Sequence, residues 1–515
     1  MELRFSDNFK WGVSSSGFQF EMGDKYRRYI DPNSDWWHWV RDADNISRQL
    51  VSGDLPEDGV NYLELFREDH ALAREIGLNT YRLNVEWSRI FPYPTSFIEV
   101  DVEHDGLGFV KEVRITDETL YQLEKIANMN YVYLYREIIR DLRSRGFKVI
   151  LALYHFTLPY WLHNPIRAHR TNLQEGPKGL LEDVFPVEFA KYASFVAWKF
   201  GDLVDTWVTF NEPIVPLELG YIGGYTGFPP SVNMPSVLPK VFSNIAIAHA
   251  LAYSLIKRFD KVKADVDSRE AAEVGLIHNM IPAYPDRESR NSESVSHYSY
   301  FHNEMILESV AKGKLDLYID GKNIVRPAAL GSTLDWLGID YYSRIVIREN
   351  KERYKEHPLL DFEAVGGYGF ACEPFGFSKS GRICDGMGWE MYPEGMIETL
   401  ELGMKYTSNI IITENGVSDP YDDIRPRYIV NHLYVVQRVL ENGFPVKGYL
   451  HWALTDNYEW ENGFEPKFGL YEVNLLTKAR RARKSVQLYK DIVQNNALRN
   501  EYLSMLLKFE RGDLL

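Results

Sequence analysis

Cysteine is almost missing from this chain: Cys372 and Cys384 are the only two among 515 residues. They form no metal spacing and no disulfide framework. Free thiols in a reducing cytoplasm are the expected state, with pairing of the two left open. Long apolar runs are missing too. No stretch reaches the roughly 18 residues that a bilayer-spanning helix needs. The opening Met1-Glu2-Leu3-Arg4-Phe5-Ser6-Asp7 lacks the apolar segment of a secretory signal. Positive charge is in deficit, since 58 lysines and arginines against 73 aspartates and glutamates give a net charge of −15. Nucleic acid and anionic membranes both select a basic face, so neither is an expected partner. HExxH is absent and no His, Cys, Asp and Glu cluster has metal spacing. Gly223-Gly224 and Gly366-Gly367 are isolated pairs, not a phosphate-cradling loop. The expectation is a soluble cytoplasmic protein whose chemistry uses protein groups alone, without metal or cofactor.

What is present is apolar and aromatic. Apolar residues make up 45% of the chain, and 12 Trp, 33 Tyr and 27 Phe exceed what packing usually asks for, which fits stacking surfaces as well as core. Short apolar strand candidates alternate with long amphipathic helical stretches, the pattern of βα units around a parallel sheet. Eight strands are expected, near Lys10–Ser14, Asn79–Leu83, Lys148–Tyr154, Thr206–Asn211, Glu273–Asn279, Trp336–Tyr342, Asn409–Glu414 and Lys447–Trp452. Eight such units predict an α/β fold, a single (β/α)8 TIM barrel whose site lies at the strand C-termini. Asn61 to Ile76 reads as a helix with Tyr62, Leu65, Phe66, Asp69, Leu72, Ala73 and Ile76 near one face and Gly77 as its cap. A segment at about 93–130 has weak helical period and is expected as an insertion after the second strand. No repeat or Pro/Gly/Ser linker divides the chain, so one catalytic domain is expected over residues 1–515.

Two strings carry the chemistry: Thr209-Phe210-Asn211-Glu212-Pro213 and Thr413-Glu414-Asn415-Gly416. Each follows a β-branched apolar run, so each sets a glutamate at a strand tip. A pair of carboxyls brought together from distant parts of the chain is what glycosidic-bond cleavage needs. Each string alone also reads blandly, the first as a turn leading into a helix and the second as an Asn-Gly turn after a strand.

Further strings extend the pattern: Phe9-Lys10-Trp11-Gly12-Val13-Ser14-Ser15-Ser16-Gly17-Phe18-Gln19-Phe20-Glu21 near the start, and Leu450-His451-Trp452-Ala453-Leu454-Thr455-Asp456-Asn457-Tyr458-Glu459-Trp460 near the end. Together with the two glutamate strings they resemble glycoside hydrolase family 1, the retaining β-glycosidases, and more closely its archaeal branch. The resemblance implies Glu212 as general acid/base and Glu414 as nucleophile, about 5–5.5 Å apart. It implies Asn211 on the sugar 2-hydroxyl and Gln19 on two neighbouring hydroxyls. Trp452 would be the apolar platform, Glu459 would take the 4- and 6-hydroxyls, and Trp460 and His155 the 3-hydroxyl. Arg82 would sit beside the carboxyl pair, Tyr342 would hydrogen-bond the nucleophile, and Trp389 would shape the aglycone side.

Two positions depart from the family pattern. Phe156 stands where Trp is usual, and Asp340 stands where Asn usually precedes the Tyr341-Tyr342 pair. The activity implied is hydrolysis of terminal β-D-glucosides, with β-galactosides and β-fucosides, and oligosaccharides among the substrates. A mainly transglycosylating enzyme and a non-catalytic carbohydrate-binding barrel are the alternatives. The archaeal relatives imply a homo-oligomer, a tetramer.

Overall fold

The computed structural model describes residues 2–224, 226–287 and 292–509. Eight parallel strands close into a barrel in chain order. They are β1 (Lys10–Ser14), β2 (Thr80–Asn84), β3 (Lys148–Ala152), β4 (Thr206–Asn211), β5 (Glu273–Asn279), β6 (Trp336–Asp340), β7 (Ile410–Glu414) and β8 (Val446–His451). Helices between them cover the outside, which makes this a (β/α)8 barrel. All eight expected strands form. Their ends differ by a residue or two, because Tyr154, Tyr342 and Trp452 lie just past the ladders, where the chain turns into the loops.

The barrel interior is filled. Ile150, Ala152, Val208, Ile277, Trp336, Ile411 and Leu450 form a buried cluster of their own inside the ring. Each large side chain there contributes on the order of 1.5–3 kcal/mol. Gly12 is required where β1 crosses this crowded layer: a Cβ there would lie 2.4 Å from the Thr80 carbonyl oxygen and 2.9 Å from Leu450 Cγ. The outer core lies between the strands and the helices. Its helices include Phe185–Phe200 and Leu238–Phe259, where Ala190, Ala193, Ala197, Ala246 and Ala250 are buried and allow close approach.

The helix before β2 runs Tyr62–Ile76 and ends at Gly77, whose φ of 103° closes it. Its buried face holds Leu63 and His70, while Leu65 and Leu72 are only half-buried. The segment after β2 forms an antiparallel hairpin, Asp101–His104 with Val110–Arg114, followed by a helix at Asp117–Ile126. That helix was hidden from periodicity because it fully buries only Thr119, Leu120 and Leu123. It is set instead by its cap, the Thr116 hydroxyl accepting from the Thr119 N–H at 3.1 Å. Cys372 and Cys384 are unbridged. Among the described residues no helix is long and apolar enough to cross a membrane.

Candidate active site

A cavity of about 590 Å3 opens at the C-terminal ends of the strands. Three carboxyls converge at its base. Glu212 follows β4, Asp340 ends β6 and Glu414 ends β7, and each brings an oxygen within 4.8 Å of the other two. Local irregularity makes this possible. The pairing of β4 with β5 slips between Val208 and Asn211, and Glu212 takes a left-handed φ of 46° while its N–H donates to the Ile277 carbonyl at 2.8 Å. A non-glycine residue in that conformation costs on the order of 1 kcal/mol, a strain that gathers at functional sites. Between β6 and β7 the register slips after Ile339, which sets Asp340 beside Glu414.

Arg82 on β2 lies fully buried beneath the carboxyls. It donates to Glu414 Oε1, to Asn211 Oδ1 at 2.8 Å, and its Nη2 meets His155 Nδ1 at 2.9 Å. An Nδ1 that accepts from a guanidinium belongs to a neutral imidazole. Burial, and then the Arg82 charge, hold the His155 pKa well below its ordinary value. The Tyr342 hydroxyl donates to Glu414 Oε2 at 2.6 Å, and burial pushes its pKa well up, so it stays a donor. Three carboxylates this close would suit a metal ion, but here the Arg82 guanidinium supplies the counter-charge and we assign no metal to them.

The Glu212 carboxyl is pushed well above the ordinary range by burial first, then by Asp340 and then by Glu414, with Arg82 acting the other way. Burial, followed by the Glu414 charge, raises Asp340 to about 8. Burial and Asp340 are both larger causes at Glu212 than Glu414.

The other predicted residues surround the cavity. The Gln19 amide donates to Asn457 Oδ1 at 3.1 Å and to Glu459 Oε2 at 3.3 Å, and accepts from Ser16 at 2.7 Å. The Glu459 carboxyl is raised well above its ordinary range, by burial first and by Glu461 next, with Trp452 and Gln19 acting the other way. His155 stacks between Trp452 and Trp460, with ring centroids 6.2 and 5.8 Å away. Phe156 lies edge-on to Trp460 at 5.1 Å. Trp389 meets Tyr342 edge-on at 5.1 Å and lines the opposite wall. Arg82 and Asn211 lie behind the cavity surface, and the remaining predicted residues line it.

Sequence reading missed the outer cavity. Val215, Leu219, Ile222, Ile281, Phe362 and Met387 make it apolar, and Asn279 at the end of β5 presents a buried Oδ1 with no hydrogen-bond partner among the described residues. Glu218 and His302 meet there at 2.8 Å. They sit on two π-helical turns, Leu217–Ile222 and Ser299–Glu304, a geometry frequent at functional sites. A strand-end position was the one available signal for Asn279. No local pattern links Glu218 to His302.

Comparison with known proteins agrees with this geometry. The family model described as Glycosyl hydrolase family 1 matches residues 1–122 and 123–498. A β-galactosidase of Pyrococcus woesei is 48% identical over 509 residues, covering 98% of this chain and 100% of that protein. The crystal structure of the β-glycosidase from the hyperthermophile Thermosphaera aggregans superposes with a TM-score of 0.89 at 42% identity, covering 98% of this chain and 99% of that one. A β-glucosidase mutant derived from a hyperthermophilic tetrameric structure gives a TM-score of 0.85 at 39% identity, with 98% of each chain covered.

Proposed function

Since the chain belongs to glycosyl hydrolase family 1 and is a glycoside hydrolase, we propose that it removes terminal β-D-glucosyl units, and β-galactosyl and β-fucosyl units, by double displacement with retention. The observation that carries this reading is the approach of the Glu212 and Glu414 oxygens to within 4.8 Å. Retaining enzymes hold their carboxyls about 5–5.5 Å apart, whereas inverting enzymes leave about 6.5–9.5 Å for a water.

In the first step the Glu212 proton passes to the glycosidic oxygen as the C1–O bond breaks, and a Glu414 oxygen bonds to C1. In the second, Glu212 takes a proton from water, whose oxygen displaces the Glu414 ester and restores both carboxyls. Arg82 and Tyr342 each hold one oxygen of Glu414, which supports a fixed line of attack. Asn211, anchored by Arg82, is placed for the 2-hydroxyl, and the neutral His155 for the 3-hydroxyl. In this reading Trp460 joins His155 at the 3-hydroxyl, Gln19 takes two neighbouring hydroxyls and Glu459 the 4- and 6-hydroxyls, with Trp452 as the platform. Trp389 and the apolar outer wall suit the aglycone, and the likeness to a protein of tetrameric origin supports a homo-oligomer.

The test is proton NMR of nitrophenyl β-glucoside hydrolysis. The β-anomer should appear first. Initial α-glucose would overturn retention, and no release at all would favour a non-catalytic barrel.

A further inference from the structure

Asp340 has no part in the double displacement as written, yet it lies within it. Its side chain is wholly buried. Oδ1 accepts from the Thr413 hydroxyl at 2.7 Å, while Oδ2 is buried with no donor among the described residues. The groups that face it are few. Glu414 comes from β7, Arg82 from β2, Glu212 from the end of β4 and Tyr342 from the loop after β6, with the uncharged Asn279 opposite it on β5. Arg82 is the one positive charge in this set, and its donors are directed to Glu414, Asn211 and His155. The oxygens of Asp340 and Glu212 approach to within 4.8 Å. Two carboxylates this close and this buried do not both ionise.

We infer that Asp340 and Glu212 share one proton across their facing oxygens, and that Asp340 is a positioning residue that keeps Glu212 loaded for the first half-reaction and strengthens it as a base in the second. This rests on the reading of Glu212 as acid/base. The charges balance through the cycle. In the free enzyme Glu414 is ionised, the Asp340–Glu212 pair carries one negative charge, and Arg82 one positive. When Glu212 gives its proton to the leaving oxygen, Glu414 becomes a neutral ester. Asp340 and Glu212 are then both ionised beside Arg82, so the net charge is unchanged. The repulsion in that state draws the water proton back to Glu212. Glu212 rises well above its ordinary range in part because of Asp340, as this arrangement requires.

Asp340→Asn replaces the second carboxyl by an amide that donates to Glu212. The alkaline limb of kcat/KM should move down by about one pH unit or more, and release of a 2-fluoroglycosyl enzyme should slow about tenfold. Thr413→Val removes the donor to Asp340 Oδ1 and should move the limb the other way. The infrared difference spectrum between wild type and Asp340→Asn at pH 7 should contain a protonated-carboxyl stretch that disappears as pH rises through the alkaline limb of the wild-type profile. Profiles that overlay in both variants would overturn the inference. So would activation by added Ca2+ that Asp340→Asn abolishes, since the carboxylates would then share a cation. Glu212→Ala separates the two levels. If it loses substrates with poor leaving groups but spares activated aryl glycosides while the Asp340 profiles overlay, this inference alone fails. If it loses both substrate types equally, the underlying reading fails.

Discussion

Glu414 is the side chain whose two oxygens are both taken, one by Arg82 and one by Tyr342. Replacing it with Gly should lower kcat at least a thousandfold, because the neighbouring Asp340 lies behind the cavity wall and Glu212 is held for proton transfer. Azide or formate should restore turnover on nitrophenyl glycosides, and an α-glycosyl azide should be the product seen by NMR. Glu212→Ala should behave differently. Turnover of substrates with poor leaving groups should fall about 100-fold or more, while activated aryl glycosides are spared in their first step. Its alkaline limb should flatten, which a pH series on the two substrate types would show. Both residues stood out in the sequence because each follows a strand-forming run at a tip. Asp340 stood out only as an odd residue before two tyrosines. Its contact with Glu212 depends on a register slip and on burial, and neither is written in the local string.

Among the elements, β1 is tightly constrained. Gly12 faces the Thr80 carbonyl, a backbone atom that cannot swing aside. Gly12→Ala should therefore lower stability by about 1–3 kcal/mol, as overpacking does, and thermal unfolding followed by circular dichroism would show the lowered midpoint. Gly12 to Gly17 is a run of mostly small residues, but nothing in that run says which neighbour crowds the strand. Strands were legible because a parallel strand buried on both faces is a continuous apolar run. The helix at Asp117–Ile126 was not, since so few of its residues face the core and a hydroxyl cap defines its start. The outer wall of the cavity was equally silent. Its apolar residues come from segments far apart in the chain, and each looks like ordinary core until the barrel closes.

Across the whole molecule, buried carboxyls set the pH response. Glu86 and Asp340 are both pushed up to about 8, and Asp260 and Asp385 to about 7, with burial the first cause in each case. A carboxyl whose pKa is raised in the folded state favours folding only while it holds its proton, and that contribution is lost as pH climbs towards the folded pKa. Buried histidines act at the other end. His70 and His249 are lowered to about 4, again by burial, so their stabilisation is present above pH 6.5 and is lost as pH falls through 6.5 towards 4. Between roughly pH 4.5 and 6.5 the two sets oppose one another. Above 6.5 only the carboxyls continue to titrate, so the unfolding midpoint should fall from pH 6.5 to 8.5, as calorimetry across that range would show. A midpoint that rises there would contradict the buried-carboxyl account.

The apolar plug inside the barrel, with Trp336 and Leu450 among its members, makes the cavity a room with one door. A sugar that enters ring-first reaches the back wall before its aglycone has cleared the threshold. The aglycone must then walk out first, and the freed sugar can leave only by the same door at which the next guest waits. Traffic, not only chemistry, is thereby ordered: under the proposed double displacement, free sugar should compete with arriving substrate for the inner room, and an alcohol lingering in the doorway should stand where water would.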